Sequence, residues 1–582
     1  MTVDRRTFLT LTAGGALGVA GAAAAGGAAW LLRPRVIGTY LSLTRPRVGP
    51  PITDAPGREV LYNGIELPGR WPPYRQSIER EVEVPPYLSR PPAVIPIDVG
   101  RQLFVDDFLI EDTELDRSFH AATYIAGNPV LQPATEWDTR DDAHGSEPPR
   151  PTAMPYSDGV WFDPADNRFK LWYTAGYGRA SGYAESTDGV EWVRPALDVV
   201  PGTNIVFTEG RDSSMVWLDH AEKNPRMRFK MTVFVQNMRH LRRFVSPDGI
   251  HWIPAGYGGP SGDRTTFFFN PFRNVWVYSL REPAELKRYV GRHRRYVESK
   301  HFCSLTPWTL DDEVAWVAAD DLDRPRTDIG SAPELYNLDC VAYESVLLGL
   351  FSMYYGGLET RHKPNHIQVG FSRDGFHWSR PSRQTFLDVS EHESDWNHSN
   401  VQSVGGCCLV VGDRLHFYVS GRAGTPGAGS PGTCSTGLAT LRRDGFASLD
   451  APPDRLPRAA GLAPRARSVT TRPVRFTGSH LFVNAAIDPG GELRAEILNA
   501  DGKVVEPFAA DRCTPIAGDA TRVAIRWSAR SIADLVGETV RFRFYLRGGR
   551  LFSFWVAPGE GGASRGYVGA GGPAFSGARD AD

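Results

Sequence analysis

Acids and amides stand at corresponding points along this sequence, each just ahead of an apolar run. Glu147 and Arg150 precede Thr152 to Met154, Asp212 precedes Met215 to Leu218, and Asp263 with Arg264 precedes Phe267 to Phe269. Tyr336, Asn337 and Asp339 lead into Cys340 to Tyr343 with Glu344 behind, and Trp396, Asn400 and Gln402 complete the series. Convergent carboxyl groups whose environments push their pKa values apart can serve as general acid and as nucleophile or base in glycosyl transfer. On that chemistry Asp212, Asp263, Asp339 and Glu344 are the catalytic candidates. Glu147, Arg150, Arg264, Tyr336, Asn337, Trp396, Asn400 and Gln402 are the candidates for holding sugar hydroxyls and a ring face.

Each candidate also has a structural reading. Asp212 and Asp263 suit turn caps at strand starts as well as they suit catalysis. Asp339 leads an apolar run and would be costly to bury unpaired, which favours function. Glu344 either lies deeper in the same strand or pairs with an arginine between structural units. Asp106 and Asp107 share one strand, so one of them faces solvent. His220, His251 and His377 adjoin turns and read as surface residues. No Ser-His-Asp order stands out. The six cysteines (303, 340, 407, 408, 434, 513) lack metal-ligand spacing, and no calcium-ligand motif is present, so neither a metal nor a cofactor is expected.

The elements that must position these residues repeat. Ser186, Asp188, Gly189 and Trp192 form the phrase SxDGxxW, which returns at Ser246, Asp248, Gly249, Trp252 and at Ser372, Asp374, Gly375, Trp378. Arg443 to Phe446 keeps the Asp-Gly turn alone, and Ser299 with Trp308 keeps the flanking residues. The aspartates are 60 residues apart from Asp188 to Asp248, 126 from Asp248 to Asp374 and 70 from Asp374 to Asp444, which makes five units. Each unit holds an aromatic strand such as Phe169 to Tyr173 or Leu415 to Val419. A strand-rich unit repeated at this period predicts a propeller, whose innermost strands line a central funnel. The repeated Asp and Trp residues then read as turn and packing residues.

Around the repeats the chain divides into segments. Asp4 to Leu9, with Arg5-Arg6 and Phe8, followed by an Ala/Gly-rich apolar run to Ala29, resembles a twin-arginine export signal. Residues 1–29 are accordingly expected to engage the twin-arginine machinery and to place the rest outside the cytoplasm, periplasmic, extracellular or at the cell surface. Membrane contact is expected only through this segment if it is not removed. Residues 30–98 form a Pro-rich lead-in, 99–455 the five-bladed propeller and 456–467 a linker. Residues 468–558 alternate at period two and predict a β-sandwich, while the Gly, Ala and Ser of 559–582 predict a disordered tail. The fold class is therefore all-β. A net charge of −2 without a basic stripe excludes nucleic acid as a partner.

The aromatic second strands, the SxDGxxW turns and the appended sandwich resemble the five-bladed propeller glycoside hydrolases of families 32, 43, 62 and 68. LFVDDFLIE at Leu103, YNLDCVAYES at Tyr336, GLATLRRDGFASLDA at Gly437 and TTRPVRF at Thr470 resemble more closely a set of uncharacterised family-32-like exported bacterial proteins. The resemblance implies an exported enzyme cleaving an oligo- or polysaccharide, furanosides among the possible substrates. The WMNDPNG-like, RDP and EC motifs of family 32 are missing, so no catalytic carboxylate carries over by position. Two other functions stand beside hydrolysis: a non-catalytic carbohydrate-binding surface protein, and a glycoside phosphorylase using Arg264 and Arg281 for phosphate.

Overall fold

A computed structural model describes residues 59–581, apart from 76, 140–149, 235–239, 282–290, 304–305, 357–360, 362, 425–431, 452–465 and 529. The expected twin-arginine segment and the first part of the lead-in lie outside the described residues. Among those described, no helix is long and apolar enough to cross a membrane.

The five repeats are five antiparallel blades around one axis. Their innermost strands begin at Ala153, Ser213, Thr266, Glu334 and Asn400. The ring closes on residues that precede it in sequence: Thr123–Tyr124 pairs with Cys434–Arg442 as the outermost strand of blade five. The repeated phrase makes the same turn each time. Asp188 Oδ1 accepts the Val190 and Glu191 amides at 2.8 and 2.9 Å while Gly189 donates to Ser186 Oγ at 2.8 Å, and Asp248 and Asp374 repeat the pattern. These turns serve as sockets between blades. The Trp172 indole of blade one donates to the Gly249 carbonyl of blade two at 2.7 Å, and the Tyr418 hydroxyl of blade five donates to the Gly189 carbonyl of blade one at 2.5 Å. His377 differs from the expectation of a surface residue. It is 6% exposed and held by Asp374 Oδ2 at 2.7 Å inside its turn.

The axis is plugged halfway down. The inner strands of blades one and five each break, at 155–159 and 403–408, and the breaks meet back to back. A Cβ on Gly159 would lie 2.2 Å from the carbonyl carbon of Gly405, so only two glycines let these backbones touch.

The far end of the axis is closed by the C-terminal residues, which corrects the expectation of a disordered tail. Tyr567–Val568 pairs with Tyr343 and Glu344 of blade four, Ala570 donates to the Cys408 carbonyl at 2.8 Å, and Phe162 of blade one donates to the Ala570 carbonyl at 3.0 Å. The glycines that suggested disorder are instead what close packing demands. A Cβ on Gly572 would sit 1.9 Å from the Val410 carbonyl oxygen, and one on Gly569 2.4 Å from that of Cys408.

The segment expected to form a sandwich draws in strands from outside residues 468–558. Its strands form one hydrogen-bonded network of eight, built on the long pair His480–Leu498 and Arg541–Ala557. This sheet recruits Gln102–Leu103, Ile110–Thr113, Asp116–Phe119 and Ala447–Ala451, which the sequence reading assigned to the propeller. Short apolar strands do not reveal which edge they will pair with. Asp106 is buried here against Arg373, whose Nη2 lies 2.8 Å away, while Asp107 is exposed. The lead-in runs over blades three and four, with Tyr62 stacked on Phe272 at 4.1 Å and the Tyr87 hydroxyl on the His377 carbonyl at 3.3 Å.

Candidate active site

Asn337 and Asp339, two residues apart on the innermost strand of blade four, face the axis together because strand side chains alternate. The Asn337 amide reaches Asp339 Oδ2 at 2.8 Å, Ser403 Oγ at 3.0 Å and Ser157 Oγ at 3.1 Å, and the Val404 N–H donates to the same Asp339 oxygen at 2.9 Å. Blades one, four and five are thus tied into the floor of a funnel. Burial pushes the Asp339 carboxyl above the usual carboxylate range, against the hydrogen bonds from Ser157, Val404 and Asn337. Asp339 Oδ1 and Asn337 Oδ1 are buried with no partner among the described residues.

Above this floor the backbone is strained. Tyr156, Arg264 and Ser403 have φ of 45°, 56° and 58°, the left-handed region that non-glycine residues occupy at a cost of about 1–3 kcal/mol each. They come from blades one, three and five. Two arginines converge here on one ring. The Arg264 guanidinium carbon lies 3.7 Å from the Tyr156 ring centroid, and Arg422 donates to the Tyr156 hydroxyl at 2.6 Å. Arg294, beneath them, donates to the Arg264 carbonyl at 2.6 Å and the Tyr336 carbonyl at 3.2 Å. Burial, together with Arg281, brings Arg294 down to about 9.

The structure brings most of the predicted residues to this mouth. Asp212 stands 3.8 Å from Arg264, and Asp263 forms an ion pair with Arg281. Tyr336 lies beside Tyr354 at 5.6 Å, and the Arg150 guanidinium covers the Tyr177 ring at 4.8 Å. The Asn400 amide donates to the Lys363 carbonyl, and both polar atoms of the Gln402 side chain are buried without a partner among the described residues. Glu147 lies outside the described residues.

Two predicted residues are elsewhere. Glu344 is seven positions beyond Asn337 on the same strand, about 23 Å at the usual rise, at the closed end of the axis. There it accepts from Arg443 at 3.0 Å, Ser564 at 2.7 Å and the Arg101 N–H at 3.1 Å, so it is saturated by structural partners. Trp396 packs on the face of blade five. Cβ atoms on Gly421 and Gly437 would meet its ring at 2.1 and 1.9 Å, and Tyr124 abuts it edge-on at 5.6 Å.

Five residues at the mouth escaped the sequence reading: Tyr156, Tyr177, Lys363, Asn365 and Arg422. Tyr177, Lys363, Asn365 and Arg422 lie where second strands end or third strands begin, which in an antiparallel blade is the same end as the start of the first strand. That adjacency was available from the hairpin pattern alone. Tyr156 sits in the break of the first inner strand and had no comparable signal.

No protein-family model matches the chain, and no curated protein matches it in sequence. Solved structures to which the chain is similar include an N-acetylgalactosamine deacetylase from F. plautii, at 13% identity and a TM-score of 0.41, over 56% of this chain and 97% of that one. A thermostable family-43 glycoside hydrolase matches at 16% identity and a TM-score of 0.32, over 54% of this chain and 99% of that one. A fructofuranosidase from Schwanniomyces occidentalis matches at 12% identity and a TM-score of 0.31, over 69% of this chain and 94% of that one.

Proposed function

We propose that the chain is a glycoside hydrolase-like enzyme that binds an oligo- or polysaccharide in the propeller funnel. The observation that carries this reading is the set of amide atoms without partners on the funnel wall. Asn337 Oδ1, Asn365 Oδ1, Asn400 Oδ1 and both polar atoms of Gln402 are buried and unmatched among the described residues. An unmatched buried polar atom costs about 1–3 kcal/mol. A polyhydroxylated ligand would satisfy several at once, with the Tyr156, Tyr177 and Tyr336 rings beside its apolar faces. Asp339, its carboxyl pushed above the usual carboxylate range by burial and its Oδ1 without a partner among the described residues, suits a general acid, and Asp212 and Asp263 at the rim are the partner carboxylates. Glu344 has no part in this reading.

Sugar release from arabinans, fructans and wall polysaccharides by wild type, Asp212→Asn, Asp263→Asn and Asp339→Asn tests it. General acid or base loss lowers the rate about 10²–10⁴-fold. Release unchanged in all three variants would remove the carboxylates from the chemistry.

One observation favours the second reading, carbohydrate binding without cleavage. Both rim carboxylates are engaged by arginines, Asp212 by Arg264 and Asp263 by Arg281. Binding of a polymer with no release would select it. Release that requires phosphate would instead select the phosphorylase. We further propose export by the twin-arginine route, on the strength of Arg5-Arg6, Phe8 and Leu9.

A further inference from the structure

The funnel wall holds more positive charge than its own carboxylates use. Arg264 is 4% exposed and Arg422 fully buried, and the Nε and Nη1 atoms of both have no hydrogen-bond partner among the described residues. Among the described residues, the one carboxylate near Arg264 is that of Asp212, at 3.8 Å, beyond direct hydrogen-bond contact. Among the described residues Arg422 has no carboxylate partner, and it donates to the Tyr156 hydroxyl at 2.6 Å. Burying a guanidinium without a counter-charge costs several kcal/mol, so such a pair persists where something else is gained. Both side chains are held in place. The Arg264 guanidinium carbon is over the Tyr156 ring, 3.7 Å from its centroid, and the Arg422 guanidinium carbon is 5.8 Å from the same ring and 5.4 Å from that of Tyr177.

We propose that Arg264 and Arg422, pinned on Tyr156, form a subsite for the carboxylate of an acidic sugar residue, so that the funnel takes a uronic-acid-containing saccharide. This rests on the carbohydrate reading above. A carboxylate accepts charge-assisted hydrogen bonds from guanidinium N–H groups, and each arginine has its Nε and Nη1 without a partner among the described residues. Gln402, Asn400 and Asn365, also with unmatched atoms, stand on the neighbouring strands and meet the hydroxyls that a uronate carries beside its acid. The potential at the spot is registered by Tyr177. Against the upward push of burial, Arg422, Lys363 and Arg264 bring its phenol down to about 8.

Calorimetric titration of the full chain with oligogalacturonides, with the neutral galacto-oligosaccharides of equal length, and with inorganic phosphate tests the assignment. Wild type is expected to bind the acidic series at least about tenfold tighter than the neutral one, the scale of one charge-assisted hydrogen bond. In Arg422→Met and Arg264→Met the ratio is expected to fall towards one. Arg422→Lys, which keeps the charge and loses the fork, is expected to recover part of it and guards against a variant that does not fold. Equal affinity of wild type for the two series overturns the subsite and leaves the carbohydrate reading standing. Binding of phosphate with no binding of either saccharide overturns both.

Discussion

Gly159 and Gly405 meet across the propeller axis with no room for a side chain between them: a Cβ on Gly405 would fall 2.6 Å from the Gly159 Cα. The contact joins the first blade to the last at the level of the funnel floor, where Gly405 also donates to the Tyr156 carbonyl at 3.2 Å. Everything above it, including the left-handed Tyr156, is referenced to this point.

Gly405→Ala is therefore expected to be severely destabilising. The atoms it would strike, in Gly159 and Ser157, are backbone and cannot rotate away. Overpacking typically costs about 1–3 kcal/mol and occasionally more, and rigid backbone on both sides puts this case at the upper end, read as a lower midpoint in denaturant unfolding.

Asp339 permits a sharper test through pH. Its carboxyl is pushed above the ordinary value of 3.8 by burial, so the folded protein holds this proton more tightly than the unfolded chain does. Stability from this group is full below that value and is lost as pH rises through the raised folded pKa. Asp339→Asn, which can keep an acceptor towards Val404 and Asn337, is expected to flatten the stability profile above about pH 4. Asp339→Ala strands both donors and is expected to cost about 2–4 kcal/mol. Since the Asn variant should fold, its sugar-release rate reports chemistry rather than unfolding. A wild-type profile that does not fall above pH 4 relative to Asp339→Asn would refute the assignment.

Glu344 should behave oppositely. Removing it leaves Arg101 and Arg443 buried beside each other, with Asp444 and Asp580 as their remaining carboxylates. Glu344→Ala is expected to lower stability by about 3–5 kcal/mol, the usual penalty for breaking a buried pair, with saccharide affinity of the folded fraction unchanged. Weaker saccharide binding by folded protein would return Glu344 to the site.

Tyr177 predicts a pH dependence of binding. With its phenol near 8, ionisation sets a negative charge beside Arg422 and Arg264 and repels an acidic ligand. Affinity for oligogalacturonide is expected to fall as pH rises through about 8 and to stay level in Tyr177→Phe. The neutral series, carrying no charge, should show no such fall in either protein.

Much of the fold was legible in the chain because its signals are local. A Ser-x-Asp-Gly turn closes on itself within five residues, so each copy announced a blade, and the spacing of Asp188, Asp248, Asp374 and Asp444 counted them. The starts of the inner strands followed from that count, which is why Asp212, Asp263, Arg264, Tyr336, Asn337, Asp339, Asn400 and Gln402 all stand at or in the funnel. What the sequence could not determine was set by contacts between residues hundreds of positions apart. Whether Glu344 faced the funnel or a structural clasp depended on Arg101, Arg443 and Ser564. The glycines after 560 look like those of an unstructured tail until Val410 and Cys408 come against them. Arg422 became a neighbour of Tyr156 only when blade five closed on blade one, a separation of 266 residues that tertiary structure alone brings within 2.6 Å.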